Sequence, residues 1–210
     1  IRVVGRGVDT VRFDPARRSA ALRASWGAAG TAPVCLYVGR LAPEKNLALV
    51  QQAFRAIQAQ QPAARMVWVG DGPAAAQLAS EHADHHFAGM RQGDDLATHY
   101  ASADLFLFPS LTETYGNVVA EAMASGLPVL AYRCAAAAEL IVDGKNGLAV
   151  APGDQPAYLA AACELAAAPA LRAGIGHAAR LAILPRSWGH VVDAFESVAS
   201  EVLVGTPRGA

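Results

Sequence analysis

PSLTETYGNVVAEAMASGLP, residues 109–128, stands between two apolar runs of strand length. Upstream, Ala103-Asp104-Leu105-Phe106-Leu107-Phe108 is rich in aromatics; downstream comes Val129-Leu130-Ala131-Tyr132. Pro109-Ser110 ends the first run. A loop carrying Glu113 then leads through Tyr115-Gly116-Asn117 into an amphipathic helix, Val118 to Ser125. Gly126 suits the residue just past that helix, and Pro128 stops any continuation. The unit reads as strand, loop, helix, strand, with one carboxylate before the helix and a second, Glu121, inside it.

A helix N-terminus offers unpaired backbone N–H groups and partial positive charge, a natural place for phosphate. Gly116 lets backbone approach a ligand with no side chain between. Glu113 and Glu121 would lie about 12 Å apart along an all-helical path. A nucleoside-diphosphate sugar carries a pyrophosphate between two polyols, and each carboxylate can accept hydrogen bonds from neighbouring hydroxyls. From the spacing alone, an exposed loop Glu followed by a solvated helix Glu is the plainer reading.

ETYGNVVAEAMASGLPV, with PSL before it and GLAVAPGD after it, resembles the Glu, seven residues, Glu signature of the retaining glycosyltransferases of family 4. There it lies in the C-terminal domain of the GT-B fold. The resemblance covers nearly the whole chain. It implies that Glu113 contacts the transferred sugar and Glu121 the ribose, with the backbone around Gly116, Asn117 and Val118 facing the phosphates beside Tyr115. GVDTVRFDP, Gly7 to Pro15, matches the phrase that follows the crossing from the N-terminal domain in that family. On residues alone, Gly5-Arg6-Gly7 is a weak dinucleotide signal: Thr10 holds the third glycine's place and no apolar helix follows.

Val34 to Val38 is a buried strand, and Pro43 fits the first position of a helix running to about Gln60. Arg40 and Lys45 stand at that strand–helix edge. Lys45 would lie in the first helical turn, where the macrodipole disfavours a cation; Glu44, or better a bound diphosphate, would offset it. Two solvated cations remain the plain alternative. GRLAPEKN resembles the family segment whose Arg and Lys hold the donor pyrophosphate, which implies that role for Arg40 and Lys45. Further on, VGDGP (Val69 to Pro73) is also a family phrase, and Asp71 reads first as a turn former. Gly89-Met90-Arg91 closes the strand His85 to Ala88; the resemblance lays Met90 and Arg91 along the nucleotide base.

His82, His85 and His86 invite a metal reading, but no Cys or carboxylate is evidently paired with them. Asp94 and Asp95 are adjacent and no Asp-x-Asp occurs. No metal and no cofactor are therefore expected, and Arg40, Lys45 and the helix end must neutralise the leaving diphosphate. Arg133 to Ile141 departs from the family pattern, placing alanines where many members have a glycine pair. Alanine restricts the backbone there.

The composition, 53% hydrophobic and 17% charged, fits a globular domain with buried parallel strands. A net charge of −1 points to neither nucleic acid nor an anionic membrane as electrostatic partner. Cys35, Cys134 and Cys163 form no CxxC and fit a reduced compartment, so a cytoplasmic location is expected. No apolar run reaches transmembrane length, and the opening IRVVGRGVD, without Met, reads as the start of a piece of a longer protein.

The expected fold is one doubly wound α/β domain over residues 1–210, with about six parallel strands, the first at Ile1–Val4, and helices on both faces. Helices are expected at 155–168, 170–182 and 188–203, the segment 186–204 packing toward a missing N-terminal acceptor domain through Val191, Val192, Phe195, Val198, Ala199, Val202 and Leu203. The resemblance implies retaining transfer of a hexose-like sugar from a nucleotide sugar to a glycan or lipid acceptor, with peripheral membrane association of the whole protein as one consequence. Catalytic roles fall to Arg40, Lys45 and Glu113, and the chain alone is expected to be inactive. An epimerase on the same fold, a non-catalytic nucleotide-sugar-binding module and a dehydrogenase are the alternatives.

Overall fold

The strands are apolar runs because a parallel sheet covered by helices buries both of its faces. β1 (Val34–Val38), β2 (Arg65–Val69), β3 (His86–Gly89), β4 (Leu105–Phe108), β5 (Val129–Tyr132) and β6 (Leu148–Val150) pair in parallel in the order β3-β2-β1-β4-β5-β6. Every residue of β1, β4 and β5 is buried. The computed structural model describes residues 5–28 and 30–205; the strand expected at Ile1–Val4 and the side chains of Val202 and Leu203 lie outside the described residues.

Connections between parallel neighbours are right-handed. They send α2 (Leu47–Gln60) and α3 (Ala75–Glu81) to one face, and α4 (Gly93–Ser102), α5 (Asn117–Ala124) and α6 (Ala135–Leu140) to the other. α7 (Gln155–Ala167) packs on α2, while α8 (Pro169–Ile183) packs on α5. α1 (Ala20–Ser25) lies against α4, and α9 (Trp188–Gly205) closes the chain. Trp68, Tyr37, Tyr100, Tyr132 and Tyr158 are the bulkiest of the fully buried side chains. No single helix among the described residues is long and apolar enough to cross a membrane.

The helix expected from Pro43 to Gln60 is two elements. Pro43–Lys45 forms a 3-10 turn, Asn46 takes φ 55°, and α2 begins only at Leu47. Asparagine tolerates the left-handed region better than most residues, and Asn46 Nδ2 fixes the kink by donating to the Pro109 carbonyl at 3.2 Å. Lys45 therefore lies outside the α-helix. Pro169 also departs from expectation: it starts α8 rather than standing between helices, which suits a residue without an N–H at the first helical position. Gly126, at φ 68°, does terminate α5 as a left-handed glycine.

Candidate functional site

Strand order reverses between β1 and β4, the topological switch point where open α/β sheets bind ligands beyond the strands' C-terminal ends. A cavity of about 560 Å³ sits there, lined by Val38 to Arg40 from the exit of β1 and by Phe108 from β4. The 3-10 turn contributes Glu44 and Lys45, the loop before α5 contributes Thr112 to Gly116, and α5 itself Asn117 and Val118.

Lys45 and Glu113 meet in its wall. Lys45 Nζ donates to Glu113 Oε1 at 2.6 Å and to the Thr112 carbonyl at 2.8 Å. Ser110 Oγ donates to the same Glu113 oxygen at 2.7 Å. With side chains 17% and 14% exposed, this pair is shielded from solvent and screened less than a surface pair. Glu113, and not Glu44, is thus the counter-charge of Lys45. Glu44 instead faces Arg40 at 3.5 Å, and Arg40 is 66% exposed, free to turn toward a ligand.

α5 starts at the cavity. Gly116 is its N-cap at φ 90°, and no side chain caps its first turn. An added Cβ at Gly116 would meet only ordinary contacts, at 3.7 Å from Ala136 and Glu113, so the conformation and not the space demands glycine. Burial, and then the charge of the nearby Glu139, push the Tyr115 hydroxyl's pKa up, while Arg186 pulls it down.

Arg40, Lys45, Glu113, Tyr115, Gly116, Asn117 and Val118 all line this cavity. Glu121, Met90 and Arg91 do not. Glu121 faces α4, where the Tyr100 hydroxyl donates to its Oε2 at 3.0 Å. Burial holds the Glu121 carboxyl above the usual range, opposed by that hydrogen bond. Met90 is 64% exposed past the end of β3, and Arg91 donates to the Ala88 carbonyl at 2.9 Å and pairs with Asp95 at 3.1 Å.

Arg6 was not singled out by the sequence, yet it reaches the cavity across 111 residues: its Nη1 donates to Asn117 Oδ1 at 3.3 Å. No local pattern announces such a contact. Gly5 and Gly7 do not turn a strand into a dinucleotide-binding helix; the next element is a 3-10 turn, Pro15–Arg17, and Gly7 lies against Trp188. In the alanine run, Ala135 adopts φ 45°, a conformation suited to glycine.

The histidines differ from expectation in having a carboxylate with them. His82, Asp84 and His85 bring potential ligand atoms within 4.8 Å of one another, while His86 lies beside Trp26. Trp68 Nε1–H, however, donates to His85 Nδ1 at 3.1 Å. That bond puts the ring hydrogen on Nε2 and closes that nitrogen to a metal. Burial also pulls the His85 ring down to about 4. Cys35, Cys134 and Cys163 are free thiols, and burial pushes Cys35 up to about 12.

A 3-2-1-4-5-6 parallel sheet with a cation-lined cavity at its switch point defines a Rossmann-like domain. The chain belongs to the family described as glycosyl transferases group 1, whose sequence profile matches residues 32–168. It is 41% identical over 159 residues to a GDP-mannose-dependent alpha-mannosyltransferase of Corynebacterium glutamicum, covering 76% of this chain and 37% of that protein. It is 39% identical to the protein of the same description from Mycobacterium tuberculosis, covering 90% and 48%. Among solved structures, Anabaena HepE in complex with UDP and glucose matches with TM-score 0.77 at 25% identity, over 98% of this chain and 57% of that one. Sucrose-phosphate synthase from Thermosynechococcus elongatus shares the fold at TM-score 0.82 and 24% identity, over 98% of this chain and 53% of that one. The chain spans about half the length, or less, of the curated relatives it matches.

Proposed function

We propose that this chain is the donor-binding half of a retaining glycosyltransferase, holding a nucleoside-diphosphate sugar without a divalent metal. The observation that carries the reading is the switch-point cavity in which Lys45, Glu113 and the uncapped start of α5 converge. The diphosphate would lie against Lys45, Arg40 and the backbone of Gly116 to Val118, the sugar at Glu113 and the ribose at Glu121. In transfer, charge grows on the leaving phosphate, so cations and amides aimed at it stabilise the transition state more than the ground state. Glu113, tied to Lys45 and Ser110, orients the sugar in a front-face displacement. Met90 and Arg91, at the same sheet edge, would meet the base.

The acceptor, a glycan or a lipid, would enter through an N-terminal domain. α9 supports this arrangement: its Trp188, Val192 and Phe195 are each more than half exposed, an apolar face that packing against such a domain would cover.

The two glutamates test the reading. Glu121→Ala is expected to weaken the bare nucleoside diphosphate about tenfold, because the ribose is present without the sugar. The unaltered chain should also lose nucleotide affinity as pH falls through the raised Glu121 pKa, since a protonated carboxyl is the poorer acceptor, and Glu121→Ala should remove that dependence. Glu113→Ala is expected to spare the bare nucleotide and impair affinity for the nucleotide sugar. Calorimetric titration at several pH values reads all of this; equal losses of bare-nucleotide affinity in both variants would refute the division of roles.

A further inference from the structure

Three cationic side chains line the switch-point cavity, Arg6, Arg40 and Lys45, against two carboxylates, Glu44 and Glu113. Arg40 and Lys45 each already face one of those carboxylates, at 3.5 Å and 2.6 Å. Arg6 faces none. Its guanidinium carbon sits 5.4 Å from the centroid of the Tyr115 ring, and its one hydrogen bond is the 3.3 Å contact to Asn117 Oδ1. Its other N–H groups have no acceptor among the described residues. Without Arg6 the lining side chains are formally neutral, which leaves only the backbone N–H groups at the start of α5 to meet a dianion's net charge.

Tyr115 explains how an unpaired guanidinium is held there. An aromatic ring attracts the guanidinium's charge without accepting its N–H groups in hydrogen bonds, and those groups stay free to match phosphate oxygens in pairs. The backbone that delivers Arg6 is clasped to the start of α9. Val8 N–H donates to the Arg186 carbonyl at 3.0 Å, and Val8 forms a bridge with Ser187. Gly7 lies so flat on Trp188 that an added Cβ would stand 2.8 Å from the indole. The third cation thus enters the cavity from outside the sheet, on a segment whose position the α9 junction sets.

We infer that Arg6 is a phosphate-binding residue of this cavity, supplying its excess positive charge. This rests on the donor reading above. Arg6 shares the cavity with Glu113 and not with Glu121, which puts it on the sugar side, at the phosphate distal to the nucleoside. It therefore discriminates a nucleoside diphosphate from a monophosphate.

The test titrates the chain with GDP, UDP and ADP and with GMP, UMP and AMP, using unaltered protein, Arg6→Gln and Arg6→Lys. For the diphosphate that binds, Arg6→Gln should weaken affinity at least about tenfold and flatten its salt dependence, with the matching monophosphate changed less than about twofold. Arg6→Lys, keeping the charge and losing the fork, should fall between. The thermal midpoint should not move, because Arg6 is exposed and takes no part in the core. If the unaltered chain binds a diphosphate and Arg6→Gln binds it equally well, the inference about Arg6 is overturned while the donor reading stands. If the unaltered chain binds none of the three diphosphates, both fall. Equal weakening of mono- and diphosphate would remove the assignment to the distal phosphate.

Discussion

Gly70→Ala is expected to destabilise the domain by about 3–5 kcal/mol and to distort the cavity with it. Gly70 directly follows β2 at φ 131°, a backbone conformation that L side chains rarely adopt. An added Cβ would stand 2.0 Å from the carbonyl oxygen of Gly39, a backbone atom with no rotamer to yield. That approach belongs to a lacing of three strand ends. Gly39 N–H donates to the Val69 carbonyl at 3.0 Å and Gly70 N–H to the Gly89 carbonyl at 2.9 Å. Pushing the exit of β1 away also moves Arg40, the next residue in the chain. Gly153→Ala is the control: φ is 86° there, but nothing lies within 4 Å, so only the conformational cost of about 1–2 kcal/mol should appear. Urea denaturation of the two variants reads the difference, and equal midpoints would mean that β1 and β2 do not exit in contact.

Lys45→Ala is expected to lower affinity for a nucleoside diphosphate by about ten- to a hundredfold, equivalent to about 1.5–3 kcal/mol for a charge-assisted contact. Lys45 reaches the cavity wall from the 3-10 turn, held there by Glu113 and the Thr112 carbonyl. Arg40→Ala should also weaken diphosphate binding strongly, with less effect on stability because Arg40 is the more exposed cation. The Lys45–Glu113 pair adds a sign to the comparison. In Glu113→Ala the ammonium loses its internal partner and is left free for phosphate, so bare diphosphate should bind at least as well as to the unaltered chain. Unchanged diphosphate affinity in both Lys45→Ala and Arg40→Ala would remove these residues from the site.

Much of the fold was legible because its strands are buried on both faces. Val34–Val38, between Pro33 and Gly39, and Val129–Tyr132, after Pro128, read as apolar runs, and the structure places β1 and β5 at those limits. The break at Asn46 was not legible: Pro43 begins a good helical pattern, and what bends the chain is a hydrogen bond to Pro109, distant in sequence. The same limit explains the charges around Lys45. Sequence proximity points to Glu44 as its counter-ion, whereas the loop before α5 brings Glu113 to it. The bond from Tyr100 to Glu121 was no more legible, because it depends on how α4 and α5 lie together. Arg6 left no local trace at all, since both its partners, Tyr115 and Asn117, come from the other end of the site's architecture.

The central claim is that this chain carries a donor site made of its own side chains and backbone. Titrating it with GDP, UDP and ADP, with and without EDTA, and assaying donor consumption beside cell-extract acceptors, tests that most directly. The account predicts weak, saturable binding of at least one diphosphate at a single site, unchanged by EDTA, and no sugar transfer by this chain alone, because half a cleft neither excludes water nor fixes an acceptor. Binding of none of the three, binding abolished by EDTA, or transfer by the chain on its own would contradict it.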